Sequence, residues 1–100
     1  MKLGILLSTT PENENTNTVI SISRAARKHG HDVSIFLMYD GVYNINKKEF
    51  AGLIEIGVNI TVCALNAEQR KVSKAEGILF GSQYDHACIA EDVDRFLSFG

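Results

Sequence analysis

Residues 2–41, KLGILLSTTPENENTNTVISISRAARKHGHDVSIFLMYDG, decide the fold, because two dense apolar runs flank a stretch with helical spacing. The first run, KLGILLS (2–8), is continuous and ends in the turn-rich TTPENEN, which is how a strand covered on both faces of a parallel sheet reads. A helix is predicted from Asn15 or Thr16, where hydroxyl and amide side chains are available as caps. It places Val19, Ile22, Ala25 and Ala26 on one face, and Arg24, Arg27 and Lys28 late, where the helix dipole favours cations. Gly30 ends it. DVSIFLMYDG (32–41) is then a second buried strand ending at Tyr39-Asp40-Gly41; the Asp-Gly pair also fits a hairpin turn, but the apolar run that should follow it is absent.

The rest of the chain repeats the alternation. NKKEFAGLIEIG (46–57) supplies Asn46 as an N-cap, Phe50, Leu53 and Ile54 at helical spacing, and a closing glycine, hence a second helix. VNITVC (58–63) alternates apolar and polar residues as a third strand. ALNAEQRKV (64–72) favours a short helix, GILFG (77–81) a short strand or extended turn, and SQYDHACIAEDV (82–93) a capped final helix with Tyr84, Cys88 and Ile89 on its inner face. DRFLSFG (94–100) suits a last strand. Strands and helices alternating at this spacing imply right-handed βαβ crossovers, so the expected fold is an α/β three-layer sandwich: a mostly parallel sheet of about five strands with helices on both faces.

With 100 residues and 45% apolar content the chain fits one domain over 1–100. A formal charge of −2 with both signs interspersed gives no electrostatic footprint for nucleic acid or an anionic membrane. The first apolar run is too short for a signal-peptide core, and nothing approaches the roughly 20 apolar residues of a membrane span. The chain is therefore expected in the cytosol. There a structural disulfide between Cys63 and Cys88 is disfavoured, and a redox pair would need their Cα atoms within about 7 Å.

In a parallel sheet, ligands gather beyond the carboxyl ends of the strands. Three segments occupy that position: STTPENEN (8–15), YDGVYN (39–44) and CALNAEQR (63–70). Neither GxGxxG nor GxxxxGK[ST] is present, so no nucleotide cofactor is expected. Ser8, Thr9, Thr10 and Asn13 could donate to an anion, or simply serve as turn and cap residues. Tyr39, Asp40 and Tyr43 could line a pocket with Asp40 as a base, or form a turn with a half-buried rim. His29, His31 and His86 are too scattered among the cysteines for a zinc site, and no metal is expected. Cys63 stands at a strand end, before a helix N-terminus and within sequence reach of Arg70 and Lys71, the setting that stabilises a thiolate. It is equally a position where cysteine serves as a small core hydrophobe.

GHDVSIFLMYDGV and GVNITVC, together with LLSTTPENENTNTVISISRAARK, LIEIG, ALNAEQRKV and the terminal DRFLSFG, resemble the DsrE-like family in order and spacing, over nearly the whole chain. The resemblance implies that Cys63 matches the cysteine which, in sulfur-relay members, accepts sulfane sulfur as a persulfide and passes it to another protein's cysteine. Arg70, Lys71 and the amides of the following helix would then favour the thiolate, with Ser8–Asn13 and Tyr39–Tyr43 as the rim. It implies sulfur-donor and sulfur-acceptor proteins as partners, and a homo-oligomer (trimer or hexamer) or a mixed assembly with related subunits. It also implies an alternative, since YchN-like members suggest a non-catalytic oligomeric binding or scaffold protein with Cys63 structural. Here the chain departs from the relay pattern: lysine, not glycine, follows Arg70.

Overall fold

Five strands form one sheet in the order β4-β3-β2-β1-β5, and every adjacent pair is parallel. The structure, a computed structural model, describes residues 1–100. The strands are β1 (Lys2–Leu7), β2 (Asp32–Leu37), β3 (Asn59–Cys63), β4 (Leu79–Gly81) and β5 (Arg95–Phe99). Between them run α1 (Glu14–Lys28), α2 (Lys48–Ala51), α3 (Ala64–Gln69) and α4 (Gln83–Asp92), with 3-10 turns at Tyr39–Asn46 and Gly52–Ile56 on either side of α2.

The strand order fixes which face each helix covers. From β1 to β2 to β3 to β4 the chain steps outward in one direction, so right-handed crossovers put α1, α2 and α3 on the same face. From β4 it returns across the sheet to β5, and the same handedness puts α4 alone on the other face. The main core lies under the three helices: Ile5, Leu7, Val33, Ile35, Leu37, Ile60 and Val62 of the strands pack with Val19, Val42, Phe50, Leu53 and Ala67. The alternate positions Gly4, Phe36, Thr61 and Cys63 face α4.

The first helix begins at Glu14, one or two residues before the expected start, because Asn13 is the cap: its Oδ1 accepts the Asn15 amide at 2.9 Å. Its buried residues are Thr16, Val19, Ile20 and Ser23, and Ala25 is exposed. The second strand stops at Leu37; the following residues wind into a 3-10 helix because Gly41 must sit directly on β1. A Cβ at Gly41 would run into the Leu7 carbonyl. The second helix is not continuous over 46–57. Asn46 ends the 3-10 segment instead of capping, and α2 is a single turn that tightens at Gly52. Gly57 closes it at φ +93°, where an added Cβ would also meet the Arg27 guanidinium. That guanidinium in turn donates to the Ile56 and His31 carbonyls.

The last helix carries a full capping box, Ser82 with Asp85. Tyr84 and Cys88 do not point inward as their spacing suggested: Tyr84 is 75% exposed and Cys88 is exposed. The inward residues are His86, whose ring stacks on Phe36 at 5.0 Å, and Ile89, which is half-buried as expected. Helix α4 rests on a ring stack with a single aliphatic residue beside it, which is why apolar periodicity found Ile89 but missed His86.

Candidate functional site

The carboxyl ends of β1, β2 and β3 bring the three expected loops together, and two buried amides tie them. Asn44, fully buried, donates from Nδ2 to the carbonyls of Thr9 (3.0 Å) and Gly41 (2.9 Å) and accepts from the Thr16 hydroxyl at 2.6 Å. It joins the first loop, the 3-10 segment and α1. Asn66 on α3 does the same for the second and third loops, its Oδ1 accepting the Tyr39 amide at 2.7 Å. That bond holds Tyr39 at φ +49°, a left-handed conformation uncommon outside glycine. Sequence reasoning passed over both amides, because asparagine in turn-rich segments reads as turn chemistry and only burial reveals it as a junction.

The polar groups of the first loop serve its own structure. The Ser8 amide and hydroxyl both donate to the Phe99 carbonyl, at 3.0 and 3.4 Å. Thr9 Oγ1 accepts from Asn15 at 3.4 Å, and Asn13 caps α1. Tyr43 is half-buried against the core and borders a hollow of about 380 Å³ with Thr10, Pro11, Glu12 and Asn46. Tyr39 is 55% exposed at the rim.

Cys63 is the last residue of β3 and the residue before α3, and its side chain caps nothing. Across the β3–β4 ladder it faces Gly81, which has no side chain to crowd it. The residue as a whole is only 5% exposed. Arg70 is committed elsewhere: its Nε donates to Asp40 at 2.9 Å, clasping the end of α3 to the second loop. Lys71 is exposed, at φ +57°, with its amide donating to the Glu68 carbonyl. It terminates the helix. With Asp40 54% exposed, the ion pair is screened by water, so Asp40→Asn is expected to cost no more than about 1 kcal/mol in urea unfolding. A larger loss would mean that Asp40 organises the whole second loop.

Both cysteines are free. Tyr84 and Cys88 lie one turn apart on α4, and the neighbouring Cys88 side chain is the main influence that raises the Tyr84 phenol above its ordinary value. No group of three His, Cys, Asp or Glu side chains is placed to hold a metal ion. A hollow of about 660 Å³ lies between α1 and the α2 region and is lined by Arg24, Arg27, Lys28 and Lys48, among others, not by Cys63. No helix is long and apolar enough to cross a membrane.

The fold is similar to that of the YchN protein from Escherichia coli, with a TM-score of 0.85 over 99% of both chains at 21% identity. It is also similar to a conserved protein of unknown function from Bacteroides thetaiotaomicron, with a TM-score of 0.81 over 98% of this chain and 94% of that one at 18% identity. At these identities the likeness speaks for the fold. No curated protein matches the chain. The model of the DsrE/DsrF-like family matches residues 1–99, and the chain belongs to that family.

Proposed function

We propose that this protein carries sulfane sulfur as a persulfide on Cys63, as a small sulfurtransferase-type relay between a donor and an acceptor protein. The observation that carries the reading is the placement of Cys63: it ends β3 at the carboxyl edge of the sheet, where three loops converge, in a chain of the DsrE/DsrF-like family. The chemistry requires little else. The Cys63 thiolate attacks the outer sulfur of a donor persulfide, the S–S bond of the donor breaks, and the donor leaves as its thiolate. Cys63 is then left as the persulfide. An acceptor thiolate repeats the exchange in the opposite sense. No metal, cofactor or general base is needed, only a thiol that can be reached and ionised.

The burial of Cys63 favours a second reading, a non-catalytic oligomeric scaffold of the same fold with Cys63 as a core residue. Under the first reading the protein works in the cytosol, as a trimer, a hexamer or a mixed assembly with related subunits. Incubation with a sulfane-sulfur donor followed by intact mass measurement separates the two. The relay predicts one added sulfur, about 32 Da, that survives in Cys88→Ser and is lost in Cys63→Ser. An adduct on Cys88, or none, would support the scaffold.

A further inference from the structure

We propose that α4 is a cover over the Cys63 thiol which opens locally, and that His86 is the positioning residue that holds it closed. Strand alternation puts Phe36, Thr61 and Cys63 on the face that α4 alone covers, opposite the core built by the other helices. Cys63 is nearly sealed, yet its ladder neighbour Gly81 contributes no side chain to the seal. The bare glycine instead lets the first turn of α4 come down, since a Cβ there would collide with the Asp85 carboxylate that caps the helix. The cover over the thiol is therefore the start of α4.

That helix is held lightly. None of its ten residues is buried. Hollows of about 330 and 230 Å³ lie on this face of the sheet, one bordered by Thr61, Leu79 and Ile89, the other by Lys2, Ser34 and Asp92. Its far end is tied by an exposed Lys2–Asp92 ion pair at 3.4 Å, which contributes little in water. What remains is the half-buried Ile89 and, next to it, the imidazole of His86, stacked on Phe36 with a 17° interplanar angle and tilted against Phe96 at 5.7 Å. Aromatic contacts of this kind stabilise beyond their area. Helices with so few buried contacts belong to the low end of local stability and open without global unfolding.

This inference deepens the sulfur-carrier reading by supplying the exposure that Cys63 needs, but its test reads exposure and not sulfur, so either can fail alone. The full chain is treated with iodoacetamide near neutral pH, and each cysteine is followed separately by peptide mass. Cys88, exposed on the same helix, is the internal reference. His86→Ala is expected to accelerate Cys63 labelling about tenfold and to leave Cys88 within about twofold, as loss of the ring contacts implies. His86→Phe, which keeps a ring in the stack, is expected to restore slow labelling. A Cys63 rate unchanged in His86→Ala overturns the proposal, and so does labelling of wild-type Cys63 as fast as Cys88. Labelling of Cys63 that tracks urea with the full slope of unfolding also overturns it, because the thiol would then be released only by global unfolding; a shallow urea dependence supports it.

Discussion

Asn44→Ala is expected to destabilise the fold by about 3–5 kcal/mol, more than any surface change at the loops, because each group it bonds is left behind in a buried site. The Thr9 and Gly41 carbonyls lose their 3.0 and 2.9 Å donors, and the Thr16 hydroxyl loses its acceptor at 2.6 Å. The only other acceptor for Thr16 is the Thr10 carbonyl at 3.5 Å, which is too long to replace it. Unmade bonds in a dry site cost about 1–3 kcal/mol each, and sharing among three groups brings the total to the lower half of their sum. The measurement is the midpoint of urea unfolding with an unchanged slope. A loss below about 1 kcal/mol would show that water enters the junction and takes over the three bonds. Asn44 is also the link between the loop after β1 and the segment that carries Tyr39. Its removal should therefore loosen the rim before it loosens the core.

The parallel sheet was legible in the sequence because β1 and β2 bury both faces, and strands of that kind leave a continuous apolar run. Alternation gave β3 within one residue, since Thr61 falls on the more thinly covered face and Ile60 and Val62 on the main core. What the sequence hid has a common cause: contacts between residues distant in the chain. The 46–57 stretch has helical spacing at Phe50, Leu53 and Ile54, but its first residue belongs to the 3-10 segment whose Gly41 lies on the Leu7 carbonyl, and its last, Gly57, lies against Arg27. Apolar spacing read the inner face of α4 only at Ile89, because the other anchor is a histidine packed against phenylalanines from two different strands. At the candidate site, the position of Cys63 was legible and its near-complete burial was not. Arg70 sat at the expected distance in sequence, yet Asp40, thirty residues away, takes its guanidinium.

Phe36→Ala is expected to cost about 3–5 kcal/mol, and the way that loss divides tests the asymmetry of the two faces of the sheet. The ring is fully buried on the α4 face, while its neighbours Ile35 and Leu37 point into the main core. Truncation there leaves a cavity and also removes the surface on which His86 stacks. Two consequences separate it from a core change of similar size. First, Phe36→Ala should raise Cys63 labelling under native conditions, whereas Leu37→Ala, with a comparable loss of global stability, should raise it much less, since Leu37 supports no part of α4. Second, Phe36→Ala and His86→Ala should be non-additive, because each removes the same ring contact. A double-mutant cycle read by unfolding midpoints is expected to return a coupling of about 0.5–1.5 kcal/mol, the range for a stacked aromatic pair. Strict additivity would mean that His86 merely rests on the sheet, with α4 held in place by its caps and its exposed Lys2–Asp92 pair. A positive coupling with faster Cys63 labelling would instead tie a single ring contact in the middle of the sheet to the exposure of the sulfur at its edge.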